Sequence, residues 1–167
     1  KVISVLLLTK AKLTRKEKPL GSLLLIGPTG VGKTECAKAL SRFLFKSEER
    51  LTRLDMSEFG DADAVFRLVG GQGREGLLIK KVREEPFCVL LLDEFEKAHP
   101  AVFDLLLQIL GDARLSDGAG KLADFTNCFL LMTSNLGAET FQRGRLTPIT
   151  SDLAIDAERH FQQEVQV

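Results

Sequence analysis

The sequence contains no tryptophan or tyrosine, only two histidines and three cysteines, and its 23 basic and 23 acidic residues cancel. Each shortage excludes something. A chain without net charge lacks the basic footprint that binds nucleic-acid phosphates, so no nucleic acid is expected as a partner. The cysteines, Cys36, Cys88 and Cys128, are odd in number, lack the close spacing of zinc sites, and lie beside or within apolar runs. All three therefore read as buried, reduced thiols. No apolar run approaches the ~20 residues that span a bilayer, and the apolar opening at 2–8 has no small-residue cleavage site behind it. A soluble, cytoplasmic protein with no membrane partner is expected. Residues 1–18 read as the remnant of an amphipathic helix and a linker.

What is present fits one fold. With 44% hydrophobic residues in 167, the chain supports one buried core and is short for two. Four β-type runs, at 23–26, 51–54, 88–92 and 129–133, alternate with helical patterns, which implies an α/β fold with a parallel sheet and crossover helices. Helices are expected at 33–45, with Cys36, Ala37, Leu40 and Leu44 as the apolar stripe, then at 75–84 and from Pro100 to Leu110. Pro100 suits a first helical position, and Gly111 is expected to supply the left-handed residue that stops that helix. A further helix is expected over 153–165.

Gly27-Pro28-Thr29-Gly30-Val31-Gly32-Lys33-Thr34 matches the phosphate-binding loop pattern in full, between an expected strand and an expected helix. Its glycines let successive N–H groups converge on phosphate, and the helix start adds the positive end of its dipole. Lys33 is expected to reach the β- and γ-phosphates of ATP, and Thr34 to place its hydroxyl on Mg²⁺, which prefers hard oxygen ligands. Asp93 and Glu94 follow the most apolar run, at the edge where an open α/β sheet places its ligand. Asp93 would orient the magnesium shell, and Glu94 would polarise the attacking water. Asn135, ending the fourth run, would hold that water or the γ-phosphate through its amide.

The stretch 19–137 resembles the second ATPase ring of the Clp family of AAA+ unfoldases and disaggregases. Ordered blocks carry the resemblance: Pro19-Leu20-Gly21-Ser22, the phosphate loop through Glu35, Asp55-Met56-Ser57-Glu58-Phe59 and Arg67-Leu68-Val69-Gly70. It continues in Leu91 through Pro100, Arg114-Leu115-Ser116-Asp117-Gly118, and Met132-Thr133-Ser134-Asn135-Leu136-Gly137. The resemblance implies an AAA+ large subdomain over 19–167, an ATP and Mg²⁺ site at a subunit boundary, and assembly into a ring, usually a hexamer. It implies an ATP-hydrolysing chaperone acting on protein substrates or adaptors. In such a chain His99 looks like a capping or packing residue.

The family also exposes departures. Threading rings place an aromatic residue, typically tyrosine, in a Gly-rich loop after the segment that here is Arg67 to Gly70. This chain runs directly into Gly71-Gln72-Gly73-Arg74-Glu75-Gly76. Either the loop is truly short, which is the expectation, or residues are absent there. The family's fifth strand, helical lid, arginine finger and second sensor would lie beyond Val167, and Arg114, Arg143 and Arg145 are not assigned to the finger. A chain so truncated is expected to bind nucleotide and hydrolyse it slowly. Two other classes remain: a nucleotide-switched assembly or regulatory module that threads nothing, and a DNA-directed AAA+ motor. The second lacks the Clp-like blocks.

Overall fold

The computed structural model describes residues 17–71 and 73–136. The opening segment, Gly137 and the helix expected over 153–165 lie outside them. In chain order the strands are β1 Gly21–Ile26, β2 Leu51–Asp55, β3 Gly70–Gly71, β4 Arg74–Glu75, β5 Val89–Asp93, β6 Arg114–Ser116, β7 Leu122–Asp124 and β8 Phe129–Ser134. The helices are α1 Lys33–Phe45, α2 Ala64–Val69, α3 Leu77–Glu84 and α4 Pro100–Asp112. Single 3-10 turns occupy Met56–Phe59 and Phe95–Lys97.

The four β-type runs form one parallel sheet in the spatial order β1-β8-β5-β2, with β5 and β8 at its centre. Every residue of these two strands is buried. Continuous apolar runs suit that position because helices cover both faces of a parallel sheet. Alternation then sorts the side chains. Leu90, Leu92, Leu130 and Met132 face the cluster that includes Leu68, Ile79, Val82, Val102 and Leu106, from α2, α3 and α4. Val89, Leu91, Phe129 and Leu131 face Ala37 and Leu40 of α1. The result is three layers, and full burial of each such side chain contributes about 1.5–3 kcal/mol.

Register aligns the strand ends. Ile26 pairs with Ser134, and Asp55 with Asp93, so the residues following β1, β5 and β8 emerge along one edge. Crossover helices return the chain to the opposite edge each time, as parallel pairing requires.

Several expectations need correction. Helix α1 buries Ala37, Leu40 and Ser41, whereas Cys36 is exposed, so only Cys88 and Cys128 are buried thiols. The stripe is 37-40-41-44, and polar Ser41 concealed it: its hydroxyl donates to the Ser47 carbonyl at 2.7 Å. Helix α3 begins at Leu77, because Glu75 pairs with Gly70 in a hairpin and Gly76 lies against the Val69–Gly70 backbone. A Cβ on Gly76 would approach the Val69 carbonyl carbon to 2.1 Å. Gly111 does not stop α4. The helix runs on to Asp112, and Ala113 takes the left-handed conformation (φ 51°), donating its N–H to Ile109 and accepting from Phe125.

Candidate functional site

The phosphate loop connects β1 to α1. Gly27 is buried, and its N–H donates to the Ser134 carbonyl at 3.1 Å, which fixes the start of the loop to β8. Gly30 and Gly32 have φ of +84° and +94°, a region that disfavours side chains. A Cβ on either would meet nothing within 4 Å. The constraint there is torsional, and the space beside the loop is open. Gly32 also caps α1 without a side-chain hydrogen bond, leaving the helix start to an incoming anion.

Lys33 opens α1, and its Nζ donates to the Gly27 carbonyl, to the Pro28 carbonyl at 3.2 Å and to Asn135 Oδ1 at 2.6 Å. Three acceptors satisfy the three donors of an ammonium. Two residues singled out in separate segments thus touch across 102 positions of sequence. Thr34 lies half-buried in the same first turn.

At the end of β5, Asp93 is almost fully buried and both its oxygens are engaged. Thr133 donates its hydroxyl to Oδ1, and Arg53 of β2 pairs with Oδ2 at 2.6 Å. Glu94 follows with φ 53°, an uncommon conformation for a residue with a Cβ, and its N–H donates to Thr133 Oγ1 at 3.1 Å. Thr133 therefore links the two acids, donating to one and accepting from the other's backbone. The Glu94 carboxylate pairs with Lys97 at 2.6 Å. The hydrogen bond to Glu94, and then its charge, hold the Lys97 ammonium above its ordinary pKa.

Asn135 is held from behind by Glu96, whose Oε1 accepts the Asn135 N–H at 3.1 Å. Glu96 Oε2 is buried without a hydrogen-bond partner among the described residues. Arg53, Thr133, Glu96 and Lys97 escaped assignment from sequence. Thr133, Glu96 and Lys97 stand inside the blocks that carried the resemblance, and only their contacts distinguish them. Arg53 had no signal beyond its place in a strand beside the acids. His99 caps α4, accepting the Ala101 N–H on Nδ1 at 3.2 Å, as expected.

The edge thus gathers an ammonium, two acids and an amide around a loop of positive-φ glycines. Comparison with known proteins agrees with that assembly. The family model for the AAA domain (Cdc48 subfamily) matches residues 18–166. Curated relatives include the chaperone protein ClpB of Streptomyces albus G, 53% identical over 137 residues, covering 78% of this chain and 16% of that protein. ClpB of Vibrio vulnificus strain YJ016 is 51% identical over 140 residues, covering 80% of this chain and 16% of the relative. ClpB of Vibrio cholerae is 46% identical over 166 residues, covering 93% and 19%. The chain spans less than a fifth of the length of these relatives.

Proposed function

Because the chain belongs to the AAA domain family (Cdc48 subfamily), among the Clp-type AAA+ ATPases, we propose that it binds ATP with Mg²⁺ and hydrolyses it to drive protein remodelling within a larger ring. The observation that carries this reading is the 2.6 Å contact between Lys33 and Asn135, which joins the phosphate loop to the strand end beside the acids.

The residues fit the nucleotide. The space beyond Gly30 and Gly32 is open, the start of α1 has no side-chain cap, and phosphate oxygens can replace the carbonyl and amide acceptors of Lys33. They also fit the metal. Thr34 offers a hydroxyl oxygen, and Asp93, whose two oxygens hold Thr133 and Arg53, would act on the ion's water shell through its remaining lone pairs, while among the described residues no three His, Cys, Asp or Glu side chains gather. That suits an ion held by few protein ligands together with phosphate. When bound, magnesium would supply positive charge against the phosphate oxygens.

The chain's own groups divide the remaining work. Lys33 holds the terminal phosphates, and Asn135, fixed through its N–H by Glu96, aims its amide at the γ-phosphate or the attacking water. Glu94 takes the proton of that water once its carboxylate leaves Lys97. Arg53 and Thr133 hold Asp93 in place. Hydrolysis is expected to be slow in the isolated chain, because an arginine supplied in trans contributes several orders of magnitude in such enzymes. Assembly into a ring, expected as a hexamer, and action on protein substrates or adaptors in the cytoplasm complete the proposal.

A second reading is a ring module that switches partners without threading a chain. Its support is the antiparallel pairing of β3 with β4, two residues apart in sequence, with no aromatic residue from Gly70 to Gly76 where threading rings carry one. Titration of the chain with labelled ATP, with and without Mg²⁺, tests the main proposal. Saturable binding that tightens with Mg²⁺ is expected, and absence of binding would refute it. Crosslinking an unfolded polypeptide to residues 70–76 in the assembled ring would remove the second reading.

A further inference from the structure

The two buried thiols lie at the opposite end of β5 and β8 from the site. Cys88 immediately precedes β5, Cys128 immediately precedes β8, and the register pairs Val89 with Phe129, so the cysteines stand side by side on neighbouring strands. Phe129 donates its N–H to the Cys88 carbonyl at 2.9 Å, which fixes the two backbones there. The sulfurs are 3.8 Å apart, and neither residue exposes any surface. Neighbouring strands lie about 4.8 Å apart, within the Cα separation of roughly 4.4–6.8 Å that a disulfide bridges.

We infer that Cys88 and Cys128 are a cross-strand disulfide site that closes when the folded chain meets a small peroxide. The thiols stand at the opposite end of β5 and β8 from Asp93 and Asn135, so closure would use none of the groups assigned to the phosphate site. The cover is thin: Cys128 Sγ lies 3.3 Å from the Pro86 carbonyl oxygen, and Pro86 and Phe87 belong to the irregular turn between α3 and β5. Phe87 is half exposed. Displacing that turn admits an oxidant of hydrogen-peroxide size without opening the sheet.

Position assigns the order of attack: Val89 donates its N–H to the Arg50 carbonyl at 2.8 Å, which places that basic residue next to Cys88, whereas the acidic Asp124 lies on the Cys128 side. Contact with Cys128, then a hydrogen bond with Thr52 and the charge of Arg50, hold the Cys88 thiol below its ordinary range. The contact with Cys88, burial and the charge of Asp124 raise Cys128. Cys88, having shed its proton, attacks one peroxide oxygen, and the departing hydroxide takes up a proton as water. The Cys128 sulfur then attacks the Cys88 sulfenic acid, its proton leaving with the hydroxyl as a second water. Two thiols and one hydrogen peroxide become one disulfide and two waters. Two electrons pass from sulfur to oxygen.

The exposed thiol of Cys36 supplies an internal control. In an unfolded chain, closure entropy favours one of the three possible pairings over another by only a few-fold. The folded 167-residue chain is treated with stoichiometric hydrogen peroxide, quenched and mapped without reduction. The expected product is lighter by two hydrogens, joins the Cys88 and Cys128 peptides at least about tenfold over any pairing with Cys36, and reverts with a dithiol reductant. Oxygen adducts without that link, comparable linkage to Cys36, or untouched Cys88 and Cys128 while Cys36 oxidises would each overturn the inference. In the Cys128→Ser variant, Cys88 should accumulate as a sulfenic acid trapped by a cyclic diketone. Failure to trap it in a folded variant would overturn the order of attack, and if the variant does not fold, the mapping of the parent chain still decides the site.

Discussion

The two ends of β5 and β8 are built on opposite principles. At the N-terminal end Val89, Phe129 and the paired cysteines are fully buried, and order comes mainly from packing. At the C-terminal end Asp93, Glu94, Asn135, Lys33 and Arg53 order one another through hydrogen bonds and ion pairs. The same two strands thus separate the packing that holds the sheet from the phosphate chemistry at its edge. Apolar burial holds the sheet together without directional demands, and the polar end inherits a rigid platform on which a few contacts aim the functional groups.

Breaking the packed end should have the largest effect on folding. Phe129→Ala removes a fully buried ring against α1, and about 3–5 kcal/mol of stability should be lost in urea unfolding. A loss under about 1 kcal/mol would show that the sheet is not held from this end. Glu94→Gln should do the reverse. Stability should change little, nucleotide should still bind, and turnover in the assembled ring should fall roughly 10²–10⁴-fold. Undiminished phosphate release would place the base elsewhere. Lys33→Ala should weaken nucleotide binding by about 10–100-fold, as expected for loss of a charged hydrogen-bond donor to phosphate, with the thermal midpoint of the free chain nearly unchanged. Unaltered affinity would remove Lys33 from the site, and a collapsed midpoint would show that its contacts with Gly27, Pro28 and Asn135 are structural.

The two ends also differed in how far sequence revealed them. The phosphate loop and the strand-end acids were legible because their chemistry is local: glycines at fixed offsets and acids directly after an apolar run. The contact of Lys33 with Asn135, at the strand end beside those acids, depended on register across β1, β8 and β5, which the structure supplies. Arg53 and Glu96 were not legible, since each acts through one contact with a residue distant in sequence. At the packed end the four strands were read correctly, yet tertiary context overrode local preference at Ala113 and Ser41. Ala113 turns left-handed because β6 must leave α4 there, despite a conformational cost of about 1–2 kcal/mol. Helix α2 and the hairpins are two to six residues per element, too short to show periodicity.

Asp55 sharpens the comparison most finely, because it ends β2 beside Asp93 yet serves structure. Its carboxylate accepts the Ser57 hydroxyl at 2.6 Å and the Ser57 N–H at 3.0 Å, capping the 3-10 turn. The Ser57 hydroxyl is the main cause that lowers its pKa from the ordinary value, against a smaller opposing effect of burial. A carboxyl depressed on folding adds stability that is fully present above its unfolded value of about 3.9 and is lost as pH falls through the lower folded value. Ser57→Ala should therefore destabilise the chain above about pH 4, and the difference from the parent should vanish on further acidification. Solvent screening limits it to a few tenths of a kcal/mol, on the order of an exposed polar contact. Paired urea titrations from neutral pH downward measure it. A difference independent of pH would mean that Ser57 acts through packing of the turn, and Asp55 would then be free to join Asp93 in the chemistry of the edge.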